Sequence, residues 1–335
     1  MSRDPSPFLT ILVPVDGSPL AERAVGLAAD IARASGSKLR LALVHQVPSA
    51  PLDPSAAKLF TSMELASRKS ERAYLRGLQT RLRQQGVRLA SAVTLTGAVG
   101  PALGRYVREL GVDLIVMATH GRGGLRRAWL GSVADHLVRH LEIPLLLVRP
   151  GESEAGAPAS GRQILVPLDG SPLAEEALDP AVALAALWQA ELLLLQVVPP
   201  VLRTIDAAVP MPSVYDEGLT AACRSQAQDY LDDITGELRA RGIGASGAAV
   251  VGWNPVDTIL DVARPEQVAL VAIATHGRGG VRRWALGSVA DKLVRGADVP
   301  ILVRRPAGRR KTKGRAAASP PRGRKEEPIT YGGRR

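Results

Sequence analysis

The chain has 335 residues, a formal net charge of +11, 46% hydrophobic residues and only 3% aromatic residues. That length suits two domains of about 100–200 residues each, and the apolar share is that of a globular protein, not a disordered or collagen-like one. The one cysteine, Cys223, excludes a disulfide framework and any multi-cysteine metal site, and fits a reducing compartment.

The charge is unevenly placed. Between Gly308 and Arg335 stand ten Lys/Arg against Glu326 and Glu327, a net of +8, which leaves +3 for the rest. This segment is rich in Gly, Pro and Ala with few large apolar residues, and reads as a disordered basic tail over 307–335. Arg3, Asp4, Pro5 and Pro7 run straight into a short apolar stretch at Phe8–Val13, so no secretory leader is expected. The most apolar stretch, Ala181–Val201, contains Glu191 and Gln196 and closes on Pro199–Pro200, which argues against a membrane span. The expected location is the cytoplasm.

In chain order, strands are expected at Phe8–Val15, Lys38–Val47, Val87–Leu95, Asp113–Ala118 and Pro144–Val148. Runs such as Leu114–Ala118 are apolar at consecutive positions, as in strands buried on both faces. The first helix has Ser18 as N-cap and Pro19 at its first position. It carries Ala21, Ala24, Val25, Ala28 and Ile31 inward and stops near Gly36. An arginine-studded helix is expected over Ala56–Gln85, a third over Pro101–Leu110, and a fourth from Ser132.

The pattern then begins again. Ile11-Leu-Val-Pro-Val-Asp-Gly-Ser-Pro-Leu-Ala-Glu22 returns at Ile164–Glu175, Ala118-Thr-His-Gly-Arg-Gly-Gly124 at Ala274–Gly280, and Leu130-Gly-Ser-Val-Ala-Asp135 at Leu286–Asp291. The repeat is a whole domain, giving domains at 1–150 and 162–306 joined by a small, polar linker at 151–161. Strand–helix alternation with short connections implies right-handed crossovers and a doubly wound parallel sheet in each. Ligands of such sheets bind beyond the strand carboxyl ends, where strand order reverses. Asp16 follows the first strand and Thr119 the fourth, so the motifs converge if those strands are neighbours.

Gly121, Arg122, Gly124, Gly131, Ser132 and Val133 lie between a buried strand and a helix. Glycines let consecutive N–H groups surround an anion, and a helix N-terminus adds further donors and its dipole. This suits a polyphosphate, although glycines also serve a plain tight turn. Asp16 would repel phosphate, so it belongs either at the nucleoside end, accepting from ribose or adenine, or in the helix cap alone. Pro14 and Val44 are candidate walls for the base. The second set is Pro167, Asp169, Leu195, Gly277, Arg278, Gly280, Gly287, Ser288 and Val289.

These residues resemble the universal stress protein family, in its nucleotide-binding branch and in tandem form. Its pattern is Gly, two residues, Gly, nine residues, then Gly followed by Ser or Thr. Gly121 to Gly131-Ser132 and Gly277 to Gly287-Ser288 keep that spacing, while Ala118 and Ala274 replace the first glycine, a methyl that would narrow the approach. The resemblance covers nearly everything but linker and tail. It implies a five-stranded parallel α/β fold per repeat (Rossmann-like, of the adenine nucleotide α-hydrolase type), ATP or a related adenine nucleotide with a divalent cation such as Mg2+, and dimerisation through the last strand. Within one chain the two repeats would pair as a pseudo-dimer; association of chains into a homodimer is the further form this allows.

The expected role is a cytosolic regulatory, stress-response module with slow or no hydrolysis. No Walker lysine follows the glycines, and no Gly-x-Gly-x-x-Gly follows the first strand. The alternatives are a nucleotide hydrolase or adenylyl-transfer enzyme, with Asp135 and Asp291 as acid–base candidates, and a nucleic-acid or anionic-surface interactor acting through the tail. The tail reading is disfavoured because no aromatic platform accompanies the basic residues. His136 and His140, four apart on a helix, are read as a solvated or interface face and not a metal site, since Lys292 and Gly296 replace them. His120 and His276 beside the loop are read as turn or phosphate contacts, Trp129 and Trp284 as loop packing. Cys223 is expected to pack quietly in an amphipathic helix.

Overall fold

The computed structural model describes residues 8–47, 57–119, 130–149, 163–204, 213–264, 268–275 and 286–306. The first repeat runs β1 (Thr10–Pro14), α1 (Pro19–Ser35), β2 (Lys38–His45), α2 (Ala57–Gln84), β3 (Leu89–Thr96), α3 (Val99–Leu110), β4 (Leu114–Ala118), α4 (Ser132–His140) and β5 (Leu145–Val148). The second runs β6 (Gln163–Pro167), α5 (Pro172–Glu175), α6 (Leu178–Trp188), β7 (Glu191–Val198), β8 (Leu202–Thr204), β9 (Ser213–Tyr215), α7 (Glu217–Ala240), β10 (Ala245–Val251), α8 (Pro255–Val262), β11 (Val268–Ala274), α9 (Ser288–Gly296) and β12 (Ile301–Arg304). The linker and tail readings fall on residues outside those described.

The five main-sheet strands of each repeat are parallel, and the order is β3-β2-β1-β4-β5 in the first and β10-β7-β6-β11-β12 in the second. The sheets do not stay separate. β12 pairs antiparallel with β5, setting Leu302 opposite Leu146, and fuses both into one ten-stranded sheet. The last strand thus carries the pairing within the chain that the resemblance implied between domains. Because the junction is antiparallel, the carboxyl ends of the first repeat's strands lie on one edge of the sheet and those of the second on the other.

Arginines lock this seam from both sides. The Arg149 guanidinium donates to the carbonyl of Ala297, at the end of α9, at 2.6 Å. In turn Arg305 and Arg304 donate to the carbonyls of Arg139 and Glu142, at the end of α4. Carbonyls at a helix C-terminus lack intrahelical partners and carry the negative end of the dipole, so a cation is favoured there. Burial lowers the pKa of Arg149 from its ordinary value, partly offset by Asp298.

One apolar core lies on each face of the sheet. On the first, α1, α2, α6 and α7 cover residues such as Ile11, Leu41, Ile164 and Leu194; on the second, α3, α4, α8 and α9 cover Leu12, Ile115, Leu165 and Val271. The inward residues expected for α1 are all buried. Its Ser18 cap accepts from the Ala21 amide at 3.1 Å, and Gly36 ends the helix at φ 72. In the second repeat that helix is split. Pro180 stands where α1 has Leu27, and a proline lacks the N–H and crowds the carbonyl four residues back, so α5 stops at Glu175 and α6 starts at Leu178. The β8–β9 hairpin is a further departure from the expected pattern. Cys223 is exposed on α7 and not packed as expected: it lies one turn before buried Ala227, at the solvent margin of the apolar face.

Candidate nucleotide crevices

β1 and β4 are hydrogen-bonded neighbours, with Ile11 opposite Leu114 and Leu12 opposite Ile115. β2 lies on the other side of β1, and β5 beyond β4. The chain therefore moves outward in opposite directions from the β1–β4 pair, which is the reversal point where doubly wound sheets open a crevice. β6 and β11 repeat this arrangement.

Asp16 follows β1 by two residues and is half-buried. Its Oδ1 accepts from the Ser18 amide at 2.9 Å. In the second repeat Asp169 Oδ1 accepts from the Ser171 amide at 3.0 Å and from its hydroxyl at 2.6 Å. Both aspartates thereby brace the serine that caps the following helix. The cap role weighed for Asp16 and Asp169 is present in the geometry, which also holds each carboxylate at the carboxyl end of its strand. Pro14 and Pro167 end β1 and β6, both half-buried.

On the facing side, Ala118 is the last residue of β4 and Thr119 follows, its amide donating to the Val148 carbonyl at 2.9 Å. The chain returns at Gly131, whose N–H donates to the Thr119 carbonyl at 2.8 Å; Gly287 does the same to Thr275 at 2.6 Å. This tie holds the start of α4 (and of α9) against the end of the buried strand. Gly131 and Gly287 are the N-cap residues, neither with a side-chain cap bond, so Ser132 and Ser288 open their helices exposed, with half-buried Val133 and Val289 behind them. An uncapped first turn leaves N–H groups for an anion. Gly121, Arg122, Gly124, Gly277, Arg278 and Gly280 lie outside the described residues, as do His120, His276, Trp129 and Trp284.

Two expectations change. Val44 is half-buried on β2, on the α3/α4 face. Its counterpart is not Leu195: Leu195 sits opposite Pro167 as Ala42 sits opposite Pro14, and accepts from Leu168 as Ala42 does from Val15. Leu195 is thus a core residue, 1% exposed, and register makes Val197 the partner of Val44. A two-residue slip along a strand keeps the same face, which is why the apolar pattern alone did not separate them. The second change concerns the alanines. The Ala274 methyl packs against the core on the α5/α6 side of the sheet, whereas α9 lies on the opposite face. It therefore lies on the face opposite the α9 N-terminus, where it does not narrow the approach from that side.

Asp135 and Asp291 pair with Arg139 and Arg295 one turn along their own helices, at 2.8 and 2.7 Å. His136 and His140 stack ring on ring with centroids 4.2 Å apart, and the His140 Nδ1–H donates to the His136 carbonyl at 2.7 Å. The rings do not converge on a point, and among the described residues no cluster of three metal-ligating side chains occurs. No helix among them is long and apolar enough to cross a membrane.

Sequence reasoning missed His45, at the carboxyl end of β2. It is 3% exposed, and its Nδ1–H donates to the Glu71 carboxylate of α2 at 2.9 and 3.1 Å. The signal was in the pattern: Glu64 and Glu71, seven apart, lie on the helix face that continues through Leu75, Leu78 and Leu82.

Comparison with known proteins follows the same boundaries. The profile of the family described as "Universal stress protein family" matches residues 7–149 and again 161–305. A universal stress protein of Mycobacterium tuberculosis is 28% identical over 320 residues, covering 89% of this chain and 95% of its own. The Bacillus subtilis universal stress protein YxiE is 28% identical over 144 residues, 42% of this chain and 97% of its own. Among solved structures, a universal stress protein from Archaeoglobus fulgidus superposes with a TM-score of 0.62 at 18% identity, covering 88% of this chain and 96% of that one. A putative one from Pseudomonas aeruginosa gives 0.57 at 19%, covering 89% and 94%.

Proposed function

Since the chain belongs to the universal stress protein family, we propose that it is a stress-response module in which each repeat binds one adenine nucleotide, ATP in the first instance. The observation that carries this reading is the tie from Gly131 to Thr119, reproduced by Gly287 and Thr275. It holds an uncapped helix N-terminus at the reversal point of the strand order, with Asp16 or Asp169 across the crevice. The helix end supports phosphates; the carboxylate, kept apart from them by the width of a strand pair, supports ribose hydroxyls or the adenine amino group. Val44 and Val197 would flank the base.

The donor set fits Mg2+ only through the nucleotide. Mg2+ retains several waters and binds through few carboxylates plus phosphate oxygens, and the carboxylates nearest the helix ends, Asp135 and Asp291, are paired with arginines. When bound with ATP, the ion would neutralise phosphate charge. The same ion pairs leave neither aspartate poised as a base. The reading is therefore binding with slow or no turnover, in the cytoplasm, by an internally paired chain.

The test is to denature freshly purified protein, identify any released nucleotide, and titrate the emptied chain with ATP and Mg2+ in a calorimeter. Saturable binding near two nucleotides per chain is expected. No released nucleotide together with no saturable ATP binding overturns the reading.

A further inference from the structure

The two ends of the ten-stranded sheet are finished differently, although they are corresponding strands of the two repeats. In β10, Ala245, Gly247 and Ala249 turn their backbone groups outward, and α7 covers them. Arg239 donates to the Ala245 carbonyl at 2.8 Å, Gln228 to that of Gly247 at 3.1 Å, and Arg224 to that of Ala249 at 3.1 Å; the Ala249 N–H donates back to Gln228 Oε1 at 2.9 Å. An edge whose three outward carbonyls and the Ala249 amide are held by an overlying helix is blocked to another strand.

In β3 the Gly97 N–H points to β2, donating to His45. Alternation then turns Ala92, Thr94 and Thr96 outward. Among the described residues no side chain bonds these outward groups. The offset of 156 that carries Tyr74 onto Tyr230 and Gly86 onto Gly242 carries Arg72 onto Gln228, Arg68 onto Arg224 and Arg83 onto Arg239. An amide both donates and accepts, whereas a guanidinium only donates, so Arg72 cannot serve an outward N–H. Arg68 is turned to Glu64 at 3.0 Å, and Arg72 and Arg83 are exposed.

We propose that the β3 edge is a strand-addition site for an extended, acidic segment of another protein. The charge of the flanking helix selects that partner. α2 holds seven Lys/Arg against Glu64 and Glu71, and those two are engaged with Arg68 and His45. The chain's own basic tail would be repelled. A second copy fits poorly: its β10 edge is closed, and edge-to-edge pairing of two β3 strands would bring two basic α2 helices together. Main-chain hydrogen bonds would supply affinity and alternate acidic side chains selectivity.

The test uses the full chain and a fluorescein-labelled peptide of alternating valine and glutamate, followed by anisotropy. Saturable binding is expected, at least tenfold tighter than for a valine–lysine peptide, and lost when alternate amides of the peptide are N-methylated. Arg72→Gln, which restores the amide clamp, should weaken binding at least tenfold. Thr94→Pro should do the same, since it removes an outward N–H without touching the β2 ladder. Should Thr94→Pro fail to fold, the surface change at Arg72 decides alone. Equal binding of the lysine or N-methylated peptide, no binding of the glutamate peptide, or an unchanged dissociation constant in Arg72→Gln overturns the proposal. So does a homodimer seen by sedimentation that Arg72→Gln abolishes, which would give the edge to a second copy. ATP titration of the same variants should be unaffected, separating this result from the nucleotide reading.

Discussion

The Gly131 amide and the Thr119 carbonyl, 2.8 Å apart, close the first repeat's loop onto the end of a buried strand. Gly131 has φ −55, and Gly287 φ −61, values that proline adopts without strain. Gly131→Pro therefore deletes the donor while keeping the backbone path. Calorimetry with ATP and Mg2+ should show one nucleotide lost or weakened at least tenfold, Gly287→Pro the other, and the double variant both. Unchanged stoichiometry and affinity in the double variant would argue that the tie has no part in binding.

Tyr74 on α2 reports on the same crevice from below. Its hydroxyl is pushed up to about 12 by burial and by the charges of Glu22 and Asp16, offset in part by Arg81. A raised tyrosine pKa means that the neutral form is favoured in the folded state. The associated stability is present below about pH 10 and is lost as pH rises toward about 12. Ultraviolet titration should show one of the five tyrosines ionising late, absent in Tyr74→Phe and shifted down in Asp16→Asn.

The C-caps of α1 and α6 occupy equivalent positions, yet Gly36 fills one and Gln189, at φ 52, the other. A side chain in the left-handed region costs about 1–2 kcal/mol. Gln189→Gly is expected to raise stability by about 1 kcal/mol, less the added flexibility of the unfolded chain, as measured by urea unfolding. No gain would mean that the Gln189 side chain compensates.

Gly100 on α3 meets the His136 ring of α4: a Cβ there would lie 2.6 Å from His136 Cγ and Cδ2. Overpacking of this kind costs about 1–3 kcal/mol, so Gly100→Ala should destabilise. In a His136→Ala background the same change should become neutral or favourable, because alanine is the better helix former. Persistence of the penalty in that background would place the clash elsewhere.

Much of this fold is legible in the sequence because both cores demand consecutive apolar runs, and because duplication writes each signal twice. Ser18 with Pro19, and Gly36, mark their helix ends by local chemistry. The split between α5 and α6 was readable from Pro180 only against Leu27. The β8–β9 hairpin was not, since three-residue strands carry no usable period. Val197 was missed because Leu195 shares its sheet face, and register comes from backbone pairing. His45 escaped because its partners Glu64 and Glu71 lie on α2, 19 and 26 residues on, and only their heptad spacing hints at the shared face. The loop glycines, by contrast, were prominent in sequence, while Gly131 and Ser132 are where the geometry makes their case.

The antiparallel junction of β5 with β12 makes this a double-ended molecule. Ligands seated in the two crevices would face away from each other across the width of one slab, and each would exchange with its own side of the solvent. Any communication would have to cross β4, β5, β12 and β11, whose side chains are tightly buried. The separation predicts independence: filling one end should leave the affinity of the other unchanged, as two-site ATP calorimetry would check.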